Sequence, residues 1–326
     1  MTGYDVERIR SLYPALQGGT VWLDGAAGTQ SPESVIDAIA DTYRVGTSNG
    51  GGAFRSSQRA DEITSAARKA VADLVGAPDP TGVVLGPNMT TLTYRFAQAL
   101  AQQWRPGDNV VVSELDHDGN VRPWVQWAEA SSVDVRWARV DVDSGELPVE
   151  QYSELLDERT RVVAVTGASN VLGTRPDVRA ITDIAHDVGA LAYVDGVHST
   201  AHDVTDITEL GSDFYVTSAY KWDGPHVGGL IADPALLEGL VPFKLASSSD
   251  AVPDRFEWGT PSFANFAGVT AAVDHLAALD TSAAGTRRER IVASLSAAHE
   301  HERALLERVL AALEADERIT LYGSPK

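Results

Sequence analysis

Cysteine is absent from the 326 residues, and only two methionines are present. Within these residues the sequence therefore excludes disulfides, cysteine-ligated metal sites and thiol nucleophiles. Basic residues are also few, because 26 Lys and Arg stand against 46 Asp and Glu, for a formal net charge of −20. This excess of negative charge repels phosphate backbones and anionic lipid surfaces, so we expect neither nucleic acid nor a membrane as a partner.

Long apolar runs are missing as well. No apolar run approaches the roughly 20 residues needed to span a bilayer, and the polar start MTGYDVERIR does not have the pattern of a signal peptide. We therefore expect a soluble cytoplasmic protein. The chain is long enough for one large domain with a large core, plus part of a second domain.

From residue 82 onward, short apolar runs alternate with helical patterns. Strands are predicted at Gly82–Leu85, Asn109–Ser113, Asp134–Val140, Arg161–Thr166, Ala190–Val194, Asp213–Thr217 and Gly228–Ala232. The helices between them are predicted at Thr91–Gln103, Arg122–Ala130, Val149–Leu156 and Val178–Val188. This alternation predicts a mainly parallel sheet covered on both faces, with an antiparallel last strand because only a short turn precedes it.

The two ends of the chain have a different pattern. Before residue 82 we predict a strand-like run at residues 21–23, a mobile Gly-rich loop at Thr47–Gly52, and helices at Asp5–Leu12, Asp61–Val75 and Pro32–Val45, the last with Ser31 as N-cap. After Pro253 we predict helices at Phe266–Leu279 and Thr286–Glu314 and a strand at Ile319–Tyr322. We therefore expect an N-terminal segment (1–30), a large domain (31–255) and an incomplete small α+β domain (256–326).

Two residues follow successive apolar runs and suggest one cofactor. Asp195 ends the run at Ala190–Val194, and Lys221 lies just beyond the run at Asp213–Thr217. In a parallel sheet both would emerge at the carboxyl-end edge, where ligands of open α/β sheets bind. Pyridoxal phosphate needs a lysine for its Schiff base and a carboxylate for its pyridinium nitrogen. Taken singly, Lys221 could equally be a solvated surface lysine, and Asp195 could be a strand-end residue that caps a loop.

Further polar residues follow the same strands. His117 could stack on a planar ring and transfer protons, or it could be a solvated loop residue. Its neighbours Asp116 and Asp118 suggest metal ligands, but their spacing matches no familiar metal motif, and we predict no metal. His198 could bond a phenolic oxygen or be a buried structural histidine, and Asn170 points to the same rim.

A phosphate site is predicted where Gly86–Thr91 joins a strand to the start of a helix. Free N–H groups and the helix dipole favour an anion at such a junction, although a plain N-capping turn is compatible with it. Ser218, three residues before Lys221, would add a hydroxyl. The small residues Asp24–Gly28 could let a backbone approach a ligand, or form an ordinary tight turn.

Five motifs resemble, in their order, those of the class V, fold-type I pyridoxal-phosphate enzymes, specifically the cysteine desulfurase-like group. They are DHDGNVRPW from Asp116, SNVLGT from Ser169, DGVH from Asp195, SAYKWDGP around Lys221 and FEWGTP from Phe256. The resemblance runs from about Trp22 to the C-terminus. It implies an α/β, aspartate aminotransferase-like large domain with a mainly parallel seven-stranded sheet.

By position, the resemblance also implies roles for single residues. Lys221 would form the Schiff base, Asp195 would bind the pyridine nitrogen and His117 would stack over the ring. The remaining implied cofactor contacts are Asn88, Met89, His198, Ser218 and Tyr220, and the implied substrate contacts are Asn170 and Ala27. Thr260 would reach the phosphate of a neighbouring subunit in a homodimer.

The sequence departs from the desulfurase pattern in three places. Tyr220 precedes the lysine where these enzymes usually have His, and Pro87 and Asn88 replace two threonines of the phosphate loop. The family's persulfide-forming cysteine and substrate-binding arginine belong to a C-terminal domain that this sequence does not reach. We therefore expect a truncated chain on which the usual desulfurase mechanism cannot run.

The sequence thus predicts a pyridoxal-phosphate enzyme of the cysteine desulfurase or class V aminotransferase type, acting on a small amino acid. The main alternative is a non-catalytic or regulatory homologue that binds the cofactor without turnover. A nucleotide-binding protein is disfavoured because neither GxGxxG after a strand nor GxxxxGK[ST] is present. A fragment that aggregates without its missing domain is the third alternative.

Overall fold

One seven-stranded sheet organises the molecule, whose structure, a computed structural model, describes residues 3–323. Its strands are β1 (Val83–Gly86), β2 (Asn109–Ser113), β3 (Asp134–Ala138), β4 (Thr160–Thr166), β5 (Leu191–Asp195), β6 (Phe214–Ser218) and β7 (Gly228–Ala232). Their order across the sheet is β1-β7-β6-β5-β4-β2-β3. Only β7 runs antiparallel to its neighbours, so the prediction of a mainly parallel sheet with a reversed last strand is confirmed.

Helices cover both faces of this sheet. They are α1 (Val6–Ser11), α2 (Glu33–Val45), α3 (Arg55–Val75), α4 (Met89–Ala101), α5 (Arg122–Ser131), α6 (Tyr152–Leu155), α7 (Val178–Asp187), α8 (Ser199–His202), α9 (Ile207–Leu210), α10 (Pro234–Glu238), α11 (Phe263–Leu276) and α12 (Arg287–Glu314). Alternate residues of each strand join one of two cores: Val111 packs on the side of α3, α7 and α11, and Val110 and Val112 pack on the side of α4 and α5. Burial on both faces explains why the strands are apolar runs rather than alternating patterns.

Several predicted boundaries and two predicted strands are wrong. Helix α3 begins at Arg55, six residues earlier than predicted, and the N-cap of α2 is Pro32 rather than Ser31. Residues 21–23 and 319–322 are irregular instead of strands, and no strand within residues 3–323 lies alongside them to supply the missing hydrogen bonds. A short apolar run without such a partner cannot form a ladder.

The Gly-rich loop before α3 has internal hydrogen bonds. The Gly51 amide donates to both carboxylate oxygens of Asp61 at 2.9 and 3.1 Å, and the Gly52 amide donates to Ser57 Oγ at 2.7 Å. The loop is therefore attached to the first turns of α3.

Helix α11 packs against α2 and α3, and its Phe266, Val269 and Val273 belong to the same core as those helices. The domain boundary near residue 256 stays a prediction. Among residues 3–323, no helix combines the length and the apolar composition needed to cross a bilayer.

Candidate active site

The parallel strands place several polar residues at one edge of the sheet. Asp195 is the last residue of β5 and lies opposite Thr166, the last residue of β4, while Ser218 ends β6. Because β4, β5 and β6 run in the same direction, their carboxyl ends meet at the edge where open α/β sheets bind ligands. This edge is the candidate active site.

Lys221 lies on a short 3₁₀ turn, Ala219–Lys221, that continues directly from β6. The next residue, Trp222, is buried and its indole N–H donates to Thr217 Oγ1 at 3.0 Å, which fixes the turn to the strand. The Lys221 amine donates to the Ala26 carbonyl and lies 5.1 Å from the centre of the Tyr220 ring. Burial lowers the pKa of Lys221, and the charge of Asp195 opposes this shift.

Asp195 is a buried carboxylate, with 4% of the residue exposed. Its Oδ1 accepts a hydrogen bond from the Val197 amide at 2.9 Å. Burial raises the pKa of Asp195 to about 6, while the Val197 N–H and the nearby charges of His117 and Lys221 hold the pKa down. At neutral pH Asp195 is therefore mainly ionised.

The start of helix α4 forms an anion cradle beside β6 and β7. Asn88 is the N-cap and accepts from the Thr91 amide at 2.8 Å, while the Met89 amide donates to the buried Ser218 Oγ at 2.9 Å. Gly228 of β7 lies directly under this turn, since a Cβ there would lie 2.5 Å from the Asn88 carbonyl carbon. First-turn amides and the helix dipole favour a phosphate at this place.

The loop after β2 carries His117 and Asp116. His117 is exposed, and its Nδ1 accepts from the Gly119 amide at 2.9 Å. Asp116 accepts from the Ser113 hydroxyl and, at 2.6 Å, from Asn120 Nδ2. Burial raises the pKa of Asp116 to about 8, and the charge of Asp195 adds to the shift.

His198 lies in the turn after β5. Burial lowers the pKa of His198 to about 4, and the positive charges of Lys221, His202 and His117 lower it further. His198 is thus a neutral imidazole at physiological pH. The charges of His117 and Lys221 act on the pKa values of both Asp195 and His198, so these four residues lie within electrostatic range of one another.

The other predicted site residues lie at the rim. Asn170 is half-buried in the loop after β4, and Ala27 is exposed in the turn that also holds Ala26. Thr260 is exposed, and within residues 3–323 it has no hydrogen bond to another candidate residue. Its neighbour Trp258 packs under the Arg95 guanidinium of α4 at 4.5 Å from the ring centre.

The residues that surround the lysine turn, Tyr13, Thr29 and Asp223, are not given a role by any sequence motif. Asp223 accepts a hydrogen bond from the Tyr13 hydroxyl at 2.7 Å, and the Asp223 amide donates to Thr29 Oγ1 at 2.8 Å. The only signal in the sequence is the position of Asp223, two residues after Lys221. Tyr13 and Thr29 lie about 200 residues away in the chain and carry no motif.

The residues of this edge fit pyridoxal phosphate. The cofactor has an aldehyde, a pyridine nitrogen and a phosphate, and the site offers a half-buried amine, a buried carboxylate and a helix N-terminus with a serine hydroxyl. Gly228 and Gly119 leave the cradle open, because a Cβ at Gly119 would lie 2.8 Å from Thr90 Oγ1 and 3.1 Å from Met89 Sδ.

Comparisons with known proteins agree with this assignment. The sequence profile described as Aminotransferase class-V matches residues 21–326. The chain is 38% identical to the uncharacterized protein MT3887 of Mycobacterium tuberculosis, over 99% of this chain and 81% of that protein. It is 33% identical to a cysteine desulfurase of Pectobacterium carotovorum, over 98% of this chain and 80% of that enzyme.

Solved structures share the fold. The cysteine desulfurase CsdA of Escherichia coli superposes with a TM-score of 0.83 at 28% identity, over 96% of this chain and 78% of that chain. The apo cysteine desulfurase of Thermococcus onnurineus NA1 gives a TM-score of 0.87 at 25% identity, over 98% and 78%. The predicted fold-type I architecture is thereby confirmed. The chain belongs to the class V aminotransferases, a family of pyridoxal-phosphate-dependent enzymes, and within it resembles the cysteine desulfurases.

Proposed function

We propose that this chain removes the α-proton of a small amino acid, as the first step of a reaction of the cysteine desulfurase-like type. One observation carries the proposal: the Lys221 amine, the Asp195 carboxylate and the N-terminus of α4 lie together at one edge of the sheet. Bound there, pyridoxal phosphate supplies an electron sink for the negative charge that develops at the α-carbon.

Lys221 is the base in this proposal. Burial lowers the pKa of Lys221, which increases the fraction of neutral amine that can accept a proton. Its attachment to a turn that Trp222 and Thr217 fix to β6 limits the positions the amine can take. The charge of Asp195 raises the pKa of Lys221 and so offsets part of the decrease caused by burial.

Asp195 and the α4 cradle hold the two ends of the cofactor in this proposal. Because Asp195 is mainly ionised at neutral pH, its carboxylate would accept a hydrogen bond from a protonated pyridine nitrogen and keep that proton in place. Asn88, Met89 and Ser218 would hold the phosphate at the N-terminus of α4: the Met89 amide donates to Ser218 Oγ, and the serine hydroxyl would donate its own proton to the phosphate.

Three further side chains would lie around the pyridine ring of the cofactor. His198, a neutral imidazole, can hydrogen-bond the phenolic oxygen of the ring without adding charge. His117 is exposed and its Nδ1 accepts from the Gly119 amide, so its Nε2 would be the nitrogen that transfers protons and its ring would stack on the cofactor. Tyr220, the third, places its ring near the Lys221 amine.

Asn170 and Ala27, at the rim, are the proposed substrate contacts, and the relatives named cysteine desulfurase favour a small amino acid such as cysteine. We also propose that the protein is a cytoplasmic homodimer in which the exposed Thr260 of one subunit reaches the phosphate site of the other. Within each subunit, we propose a large domain and a small domain that meet near residue 256. These 326 residues contain no cysteine, so a sulfur atom released here would need an acceptor outside them.

The test of the proposal uses exchange of the α-proton, because that step precedes any choice between elimination, transamination and epimerisation. Purified protein should be yellow, and borohydride should abolish its visible absorbance band. Incubated in D₂O with a panel of small amino acids, it should catalyse α-deuterium incorporation, which NMR measures directly.

Lys221→Ala should be colourless and inactive in exchange, while Lys69→Ala, which removes an exposed lysine of α3, should behave like the wild type. A wild type that stays colourless with added cofactor contradicts the proposal. Cofactor binding without exchange of any amino acid in the panel would instead favour the non-catalytic homologue.

A further inference from the structure

Asp223 has a left-handed backbone conformation, which is uncommon for a residue other than glycine. Its φ is +68°, and Ser132 is the only other non-glycine residue with positive φ among residues 3–323. The left-handed region crowds the Cβ of an L-residue; Asp adopts it more readily than most residues, and hydrogen bonds of its side chain stabilise it. Asp223 lies two residues after Lys221, so the conformation of this residue affects the course of the lysine turn.

A buried hydrogen-bond chain holds the Asp223 side chain. The Tyr13 hydroxyl donates to Asp223 Oδ2 at 2.7 Å, and the same hydroxyl lies 2.8 Å from His275 Nε2 on α11. Tyr13 and His275 are each only 8% exposed, and their rings meet edge to face at 5.3 Å. A hydroxyl that donates to Asp223 can accept from His275, so one tautomer of the histidine satisfies all three groups.

A second set of hydrogen bonds joins Asp223 to the backbone beside Lys221. The Asp223 amide donates to Thr29 Oγ1 at 2.8 Å. Thr29 in turn donates to the Tyr220 carbonyl from its amide at 2.9 Å and from its hydroxyl at 3.1 Å. The Lys221 amine donates to Ala26 of the same segment. The segment 26–29 and the lysine turn therefore form one hydrogen-bonded unit, which Asp223 connects to Tyr13.

We propose that Asp223 is a positioning residue for Lys221: its carboxylate, anchored by Tyr13, holds residues 220–224 in the conformation that aims the amine at the sheet edge. The proposal rests on the proposed function of Lys221 as the cofactor lysine. It does not depend on the charge of Asp223 acting on the amine, because the pKa of Lys221 is governed by burial and by Asp195. Asp223 therefore acts on the position of the Lys221 amine and not through its own charge.

Three variants separate this role from a general effect on folding. Asp223→Ala removes the anchor, and Tyr13→Phe removes only the hydroxyl while it keeps the ring against His275. Asp223→Asn keeps an oxygen that can accept from Tyr13, and it should rescue the wild-type behaviour. Tyr94→Phe is the matched control, since within residues 3–323 the Tyr94 hydroxyl bonds only to Gln126 at the surface, at 3.2 Å. Unfolding by urea reports on the stability of each variant.

The first measurement needs no cofactor. The chain has only four lysines, Lys69, Lys221, Lys244 and Lys326, so ε-¹³C-lysine labelling gives four NMR signals, and Lys221→Ala identifies the one from Lys221. In the cofactor-free wild type this signal should be resolved from that of the exposed Lys69 and should titrate below the usual range of a lysine. In Asp223→Ala and Tyr13→Phe it should move towards the Lys69 signal and titrate at higher pH than in the wild type, and in Asp223→Asn and Tyr94→Phe it should not.

The second measurement is the rate at which added pyridoxal phosphate becomes attached. The Lys221 amine condenses with the aldehyde carbon, which forms one C=N bond and releases one water molecule, and the visible band follows this step. We expect at least a tenfold slower rate in Asp223→Ala and Tyr13→Phe, and a rate within threefold of wild type in Asp223→Asn and Tyr94→Phe.

The outcomes distinguish the two proposals. A wild type that never attaches the cofactor overturns the proposed function, whereas the NMR signals still decide the positioning role. If Asp223→Ala fails to fold, the folded Tyr13→Phe decides. A Tyr13→Phe variant with an unchanged Lys221 signal and an unchanged attachment rate overturns the positioning role of Asp223.

Discussion

Replacing Gly228 by alanine should disturb the phosphate cradle through contact with backbone alone. Gly228 lies between Gly86 and Ser218 in the sheet, and its missing Cβ would lie 2.5 Å from the Asn88 carbonyl carbon and 2.8 Å from the Asn88 Cα and O. Since an ordinary van der Waals contact is 3.4–4 Å, the N-terminus of α4 must move away by roughly 0.9 Å. A helix end cannot yield as a flexible side chain does.

The size of the effect follows from this displacement. Overpacking of this kind costs about 1–3 kcal/mol of the free energy of unfolding. A first-turn amide displaced by nearly 1 Å also loses its hydrogen bond to the phosphate, and a hydrogen bond to a charged group contributes about 1.5–3 kcal/mol. We therefore expect the dissociation constant of pyridoxal phosphate to rise roughly ten- to hundredfold.

Gly229→Ala is the matched control, because it makes the same change at the next residue of β7 on the opposite face. Its Cβ would lie 3.2 Å from Val71 Cγ1, a side-chain atom that can shift by a few tenths of an ångström. Absorbance titration with the cofactor and urea unfolding compare the two variants. If Gly228→Ala binds the cofactor as tightly as Gly229→Ala does, the inference that α4 holds the phosphate fails.

Three further changes test other parts of the site. Asp195→Asn should still attach the cofactor but slow α-deuterium exchange roughly 100-fold, and an unaltered exchange rate would contradict the role of the carboxylate. Asp116→Asn should gain stability relative to wild type as the pH rises from about 4 to about 8. The raised pKa of Asp116 keeps a proton on the folded state that the unfolded chain has lost, so wild-type stability falls over that range; urea unfolding at four pH values measures it. Arg68→Ala should cost about 3 kcal/mol of unfolding free energy, because the Glu257 carboxylate, whose side chain is 13% exposed, keeps the Leu85 amide at 2.8 Å but loses its ion pair at 2.9 Å. A loss below 1 kcal/mol in urea unfolding would argue against this.

Much of the fold could be predicted because the signals for it are local. Apolar runs between turn residues marked all seven strands, and β2 and β7 have the predicted ends. The antiparallel direction of β7 followed from the short connection after β6, which leaves no room for a crossover helix. The start of α3 was predicted wrongly because residues 55–61 are mostly polar and show no apolar helical pattern. They are helical in the structure because the opposite face of α3 packs on the core.

The site residues divide in the same way. Lys221, Asp195, Met89 and Ser218 each follow a strand or begin a helix, so the sequence alone could mark them as belonging to one edge of the sheet. Their grouping needed only the rule that parallel strands end on the same side.

What the tertiary structure alone decided is how these groups are held and charged. The chain that joins Tyr13, Asp223 and His275 spans more than 250 residues of sequence, and no local pattern encodes a contact over that distance. The pKa values of Asp195, Asp116 and His198 shift because each is buried beside particular neighbours, and burial is a property of the assembled core. The sequence by itself determined which chemical groups lie at the sheet edge, and packing determined their protonation states and the positions of their side chains.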